Sequence, residues 1–389
     1  MISLVNDTID NKDIDLLIDW LKTYPRLTKG PLTPKLEEKW SNWLGRKYSV
    51  FVNSGSSANL LMLYSLLELG KITRSSKVVV PSVAWATDLT PTVQLGLNPI
   101  LCDINLNDLS VDLNHLEDIF KNEQPDVLML VSVLGLVPDM KTIVELCNEY
   151  NVILLEDACE SMGSKCEGKK LGTFGLMSSF STYFGHHIST IEGGFVSTDS
   201  EELYNVLKSL RSHGWDRDLD PSEQKRLQNK WGVSEFNSLY TFYYHGFNLR
   251  STDLQAFIGL NQIDKLDEIC KKRNRNFNKY QNRIKNGYWK TDLISSDFIS
   301  NFAYPIIHPK RNRIIELLRK NDVEVRPMIC GSMGVQPFYV KKFGRQELPN
   351  ASVIDKYGFY MPNNPSLTDE QIDFMSDLIN QVINERSFK

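Results

Sequence analysis

His186 stands in FSTYFGHHISTIEGGFVST (180–198), five residues after Ser181 and seven before the glycine that opens the Gly193-Gly194 pair. An imidazole with an ordinary pKa of about 6.5 can take a proton near neutral pH, and a hydroxyl one short strand away can reach the same pocket. The stretch reads as strand, tight loop, glycine pair and strand, with strands over 178–184 and 193–198. Glu192-Gly193-Gly194 supplies a turn that tolerates positive φ. Taken alone, a histidine is more often structural or exposed than catalytic. His187 adjoins it, but no third ligand follows at a recognisable spacing, so no metal site is expected.

Four other stretches carry chemistry-bearing residues. In NSGSSANLL (53–61) a strand gives way to a helix behind Ser54, Gly55, Ser56 and Ser57. The free N–H groups at such a start make an anion site, and small residues admit a phosphate; a serine-capped helix is the plainer alternative. No G-K-[ST] follows, so this is not a Walker loop. Trp85 falls just after a strand end, where it can stack on a flat ring or simply fill the core. LLEDACES (154–161) runs four apolar and acidic steps to Asp157, with Glu160 three residues on. A carboxylate there can hold a pyridine nitrogen protonated, or merely cap a helix. RSHGWDRDLD (211–220) offers His213 and Arg217, HGFNLRSTDLQA (245–256) offers Asn248 and Arg250, and VEVRPM (323–328) offers Arg326. Guanidinium forks suit carboxylates and pyrophosphates, and also surface ion pairs. His115, His245 and His308 are expected to be structural or exposed.

These residues need a frame. Short apolar runs at 77–81, 98–104, 126–133, 151–157 and 178–184 alternate with helical stretches from residue 48 onward. That pattern implies an α/β fold whose mostly parallel sheet is covered by helices on both faces. The helix after Asn53 is apolar nearly all round and should be buried. An amphipathic helix over 12–23 places Ile14, Leu17 and Leu21 on one face. A charged helix over 253–287 leads to a smaller α+β unit. The expected division is 1–270 for an N-terminal segment and large domain, and 271–389 for a small C-terminal domain.

The chain has 389 residues, 44 Lys and Arg against 48 Asp and Glu, and no basic face or polybasic tail. Neither nucleic acid nor a membrane surface is implied as a partner. The N-terminus has no apolar signal region, and the most apolar run, 127–137, is too short to span a bilayer. The expected location is cytoplasmic. Six scattered cysteines without C-x-x-C pairs are then reduced thiols, not a disulfide frame.

SGSSAN, Trp85, EDACE, the Ser181–His186 stretch, EGG and GFNLRSTDLQA, in that order, resemble the sugar aminotransferase family of fold-type I pyridoxal-phosphate enzymes. The resemblance covers nearly the whole chain, from TKGP (28–31) to VEVRPM. In that family the position of His186 normally holds the lysine that forms the Schiff base, yet no lysine occurs between Lys170 and Lys208. The branch of pyridoxal-phosphate-dependent GDP-4-keto-6-deoxymannose 3-dehydratases carries histidine there, and the chain is similar to it. Glu160, where the aminotransferases typically have glutamine, points the same way.

The resemblance implies noncovalent pyridoxal phosphate, converted by L-glutamate into pyridoxamine phosphate, and loss of the C3 hydroxyl from a GDP-linked keto-deoxy sugar. Gly55, Ser56 and Ser181 would hold the phosphate, with Asn248 reaching in from the other subunit of a homodimer. Trp85 would stack on the ring, Asp157 would pair with its nitrogen, Glu160 would sit near its hydroxyl, and His186 would act as base. His213 would assist proton transfer or position substrate, and Arg217, Arg250 and Arg326 would bind carboxylate or pyrophosphate. Iron–sulfur sugar 3-dehydrases also carry this histidine but need clustered cysteines soon after it; HGWDRDLDPSEQ (213–224) has none, so no such cluster is expected. The rival readings are an aminotransferase using a displaced Lys165 or Lys169, and a catalytically silent binding module.

Overall fold

The computed structural model describes residues 1–285 and 298–385. Among the described residues, twelve strands form three sheets: β1 (Tyr48–Val52), β2 (Lys77–Pro81), β3 (Asn98–Cys102), β4 (Val127–Val131), β5 (Ile153–Asp157), β6 (Lys165–Cys166), β7 (Lys169–Lys170), β8 (Met177–Ser181), β9 (Gly194–Thr198), β10 (Tyr304–Ile307), β11 (Arg326–Pro327) and β12 (Gly358–Met361). The main sheet runs β1-β9-β8-β5-β4-β2-β3. Its β2, β3, β4, β5 and β8 pair in parallel, whereas β9 runs antiparallel to both β1 and β8. The expectation of a mostly parallel sheet holds. β9 is reversed because it returns directly from β8 without a crossover helix. Its first residue therefore lies on the edge where the parallel strands end.

β4 is buried along its whole length, as a central strand covered on both faces should be. The helix Gly55–Glu68 buries Ala58, Leu61, Met62, Leu63 and Leu66, in line with its all-round apolar pattern. Trp40 stacks on Phe195 at 4.5 Å and meets Phe180 edge-on at 4.9 Å, fixing β8 and β9 from behind. The small sheet runs β10-β12-β11, wholly antiparallel, with helix Pro349–Tyr357 against β10 and β12, while helices Arg311–Lys320 and Asp369–Asn384 pack on each other. The helix Asp253–Arg283 runs unbroken through position 270.

Three local expectations change. The strand expected over 178–184 ends at Ser181, because Thr182 N–H turns back to Gly193 O and Thr190 N–H to Thr182 O, both at 2.9 Å. Residues 183–190 thus form a closed loop that carries His186. The glycine pair is not there for positive φ, which Ile191 adopts instead at 71°. A Cβ on Gly194 would stand 2.6 Å from Gly55 N, so close backbone approach is what demands glycine. Finally, helix Asn11–Leu21 leaves Ile14, Leu16, Ile18 and Leu21 exposed in the single chain. Polar bonds anchor it: Gln262 Nε2 and Lys265 Nζ donate to Asp13 Oδ2 at 2.7 and 2.6 Å.

Candidate active site

The parallel strands end together on one edge of the main sheet, where open α/β sheets bind ligands. After β1 the chain turns at Ser54, whose Oγ accepts from Ser57 N–H at 3.1 Å. The first intrahelical bond is Ala58 N–H to Ser54 O, leaving the N–H groups of Gly55 and Ser56 ahead of the closed turn. Gly55 lies so close to the tip of β8 that a Cβ would come within 2.7 Å of Ser181 Cβ and 2.9 Å of Cys159 Sγ. Ser56 Oγ donates to Thr87 Oγ1 at 3.2 Å, linking this helix to the next. The result is a cradle of backbone donors and small side chains at a positive helix end.

β5 supplies the floor. Strand alternation sends Glu156 away from the cradle, to the N–H groups of Gly172, Phe174 and Gly175 at 2.6–2.7 Å. Asp157 faces the other way, accepting from Cys159 N–H at 2.9 Å and Asn59 Nδ2 at 2.6 Å. Glu160 Oε2 accepts from Leu134 N–H at 2.6 Å, and Leu134 holds a left-handed φ of 54°. Burial raises the Glu160 carboxyl to about 7, opposed by the Leu134 bond and reinforced by the charge of Asp157.

His186 overlooks this floor from the closed loop. Burial lowers its imidazole to about 4; the Asp157 carboxylate pulls upward and the Arg273 guanidinium adds to the lowering. Its Nδ1 is buried without a hydrogen-bond partner, and its ring lies 5.3 Å from that of Phe302. Arg273, fully enclosed, donates to Phe302 O and Asn363 O at 2.7 and 2.9 Å and to His186 O at 3.4 Å. His187 points elsewhere, its Nε2 2.9 Å from Ser300 O and Oγ, and is structural. Trp85 caps the helix Ala86–Gln94 and is 58% exposed, so its indole is an open face and not core.

Gly55, Ser56, Ser181, Asp157, Glu160, His186 and Trp85 thus share one edge. His213, Arg217, Asn248 and Arg250 form a second group. Arg250 Nε donates to Asn248 Oδ1 at 2.9 Å, and one of its terminal nitrogens lies 3.4 Å from His213 Nε2. Arg217 lies over the rings of Trp215 and Tyr240 and donates to Leu239 O. This group joins the first through the backbone, where Asn53 N–H meets Leu249 O at 3.0 Å and Val52 bridges Arg250. Arg326 stands apart on β11, paired with Glu324 and opposite Tyr360 in register. His115 and His308 accept backbone N–H bonds through Nδ1, and His245 is exposed.

The displaced lysines do not reach the floor. Lys165 lies 5.8 Å from the Phe298 ring centroid, and Lys169 lies over Phe174 at 4.3 Å. Among the described residues no His/Cys/Asp/Glu group is arranged to hold a metal, all six cysteines are free, and no helix is long and apolar enough to cross a membrane. Sequence reasoning missed Asn59 and Asp88: the Asn59 amide donates both to Asp88 and to Asp157. Their spacing was the available signal: Asn59 is four residues after Gly55, and Asp88 three after Trp85, each one helical turn on.

Fold and site together define a chain built like the aminotransferases that act on sugars. It belongs to the DegT/DnrJ/EryC1/StrS aminotransferase family, whose pattern matches residues 7–380. It is 31% identical over 386 residues, 97% of each chain, to the GDP-4-keto-6-deoxy-D-mannose 3-dehydratase of Yersinia pseudotuberculosis. A solved GDP-4-keto-6-deoxymannose-3-dehydratase with a trapped PLP-glutamate geminal diamine superposes with a TM-score of 0.89 at 29% identity, covering 97% of this chain and all of the other. A mutant of such an enzyme with bound GDP-perosamine matches equally, with a TM-score of 0.89 at 29% identity and the same coverage.

Proposed function

We propose that this protein is a pyridoxal-phosphate-dependent lyase that removes the C3 hydroxyl of a GDP-linked 4-keto-6-deoxy sugar, with L-glutamate as amino donor. GDP-4-keto-6-deoxymannose or a related GDP-heptose is the substrate class, and a 3,6-dideoxy-4-keto sugar the product. One observation carries the reading: the loop over the Asp157 floor presents His186, and no lysine lies between Lys170 and Lys208. The similarity to named 3-dehydratases supports the choice of sugar.

The residues present fit the cofactor. A cradle that a Cβ at Gly55 would fill, two free N–H groups and the Ser181 hydroxyl suit a phosphate. The buried Asp157 carboxylate suits a pyridine N–H, and the open Trp85 indole suits the ring face. When bound as its amine form, the cofactor would supply the amino group that condenses with the C4 ketone and a ring system that takes up electrons as the proton leaves the carbon bearing that amino group and returns them as the C3 hydroxyl departs.

Asp157 keeps the ring nitrogen protonated by charge and hydrogen bond. Glu160, raised to about 7, would hold or release a proton near the ring hydroxyl. His186 is neutral at pH 7, with an imidazole held at about 4, and accepts the proton that must leave the carbon bearing the amino group. A lysine in its place would capture the cofactor covalently and favour completed transamination.

The same reading makes the enzyme cytoplasmic and homodimeric, with Asn248 and Arg250 serving the partner's site and His213 beside them. The exposed stripe Ile14, Ile18 and Leu21 supports a covered face there. Arg217 and Arg326 are assigned to the glutamate carboxylate or the pyrophosphate, and 1–270 and 271–389 to the cofactor-binding and small domains. The test is a mass spectrum of GDP-4-keto-6-deoxymannose incubated with the protein, pyridoxal phosphate and L-glutamate. A product lacking one oxygen, with ammonia released, is expected; an aminated sugar would overturn the assignment.

A further inference from the structure

Asn59 Nδ2 faces three acceptors: Asp157 Oδ2 at 2.6 Å, Asp88 Oδ1 at 3.0 Å and Thr87 O at 3.2 Å. Its amide carries two hydrogens, so one of the three contacts lacks a proton unless another donor joins the group. Asp88 is 1% exposed, and its Oδ2 has no partner. The charged and titratable groups facing it are Asp157 and Glu160 from the β5 side and the Cys159 thiol, none of them a cation. Two enclosed carboxylates bridged by one amide, with no cation between them, do not both ionise. Asp157 has the better claim to the charge, because the Cys159 N–H also donates to it. Burial first, and the neighbouring Asp157 second, push the Asp88 carboxyl upward.

We propose that Asp88 is a positioning residue that keeps its proton and, with Asn59, holds the Asp157 carboxylate where it receives the cofactor's ring nitrogen. The proposal rests on the reading of Asp157 as the partner of that nitrogen. Asp88 lies one turn after Trp85 on the helix Ala86–Gln94, and Asn59 one turn after Gly55 on the helix Gly55–Glu68. The elements that carry the indole and the proposed phosphate cradle therefore also supply the amide that donates to Asp157 and the carboxyl that stands beside it.

The test compares wild type with Asp88→Asn and Asp88→Leu. Asparagine keeps the shape and a donor but can never carry charge; leucine removes the donor. The infrared difference spectrum of wild type against D88N, recorded without cofactor at neutral pH, should contain a protonated-carboxyl stretch. Pyridoxal phosphate titrated into D88N should bind within about twofold of wild type with an unchanged absorbance spectrum. D88L should bind at least about tenfold more weakly with a shifted spectrum, the loss of one buried donor to a charged acceptor. Absence of the infrared band, or a D88N as impaired as D88L, would overturn the proposal even if D88L fails to fold. Wild-type protein that takes up no pyridoxal phosphate would overturn the functional reading itself and this role with it.

Discussion

Asn59 Nδ2 stands 2.6 Å from Asp157 Oδ2, and Asn59 lies one turn beyond Gly55 on the same helix. A single rigid element therefore sets the distance between an anion held at its N-terminus and the carboxylate at the tip of β5. The proposed phosphate cradle and the proposed pyridine partner are thereby spaced by one helical turn, a geometry loops alone would hold less firmly.

His186→Asn removes the proton acceptor but touches neither cradle nor floor. Dehydration should fall by roughly 10²–10⁴-fold, the usual worth of general acid–base catalysis. Cofactor affinity, read by absorbance titration, should stay within a few-fold of wild type. Full activity in this variant would remove His186 from the mechanism.

The pH dependence has a definite sign. His186 is held at about 4 against an ordinary 6.5, so the imidazole stays able to accept a proton well below pH 6.5. The acid limb of kcat/KM should lie below 6.5; a limb at 6.5 or above would contradict the burial of this group. Between about 4 and 6.5 the folded state binds fewer protons at His186 than the unfolded chain. Its contribution to stability is thus complete above 6.5 and is lost as pH falls toward 4.

Glu160 titrates in the opposite sense. Its carboxyl is raised from 4.5 to about 7, so the folded state holds the proton more tightly than the unfolded chain. Stability from this group is full below 4.5 and declines as pH rises through 7. Glu160→Gln should abolish that decline. Denaturant melts without cofactor at pH 5 and pH 8 should show the variant gaining on wild type at the higher pH only.

Gly55→Ala places a methyl 2.7 Å from Ser181 Cβ. The overpacking should cost about 1–3 kcal/mol of stability. Cofactor affinity should fall by more than the stability loss explains, because the methyl also fills the cradle. A variant that binds pyridoxal phosphate normally would move the phosphate site elsewhere.

Trp85→Ala separates stacking from folding. With the indole 58% exposed, unfolding stability should change by no more than about 0.5 kcal/mol. Pyridoxal phosphate should nevertheless bind roughly tenfold more weakly, since an aromatic contact is worth about 0.5–1.5 kcal/mol beyond its buried area. Equal affinity would show that the ring lies against another face.

Much was legible in one dimension. Continuous Val, Ile and Leu runs at βα spacing specified a parallel sheet, because a strand covered on both faces has no polar side to show. Gly55, Asp157 and Ser181 could be placed at strand ends because ligand sites in such sheets form there. The substitution of histidine for lysine at 186 was likewise a matter of reading one residue.

Long-range packing decided the rest. Local pattern called for a strand to 184, but the Thr182 and Thr190 backbone bonds close a loop at Ser181 and turn His186 over the floor. The glycine pair looked like a turn, and only the approach of Gly194 to Gly55 N shows that backbone contact excludes a side chain. Asp88 and Asn59 were given no role by the pattern, although Asn59 closes SGSSAN; they matter because two helices from separate βα units bring them together beside Asp157. Proton affinities belong to this class as well. Whether His186 sits at 4 or 6.5, and Glu160 at 4.5 or 7, depends on how much water and charge remain around each group, which the order of residues along the chain does not encode.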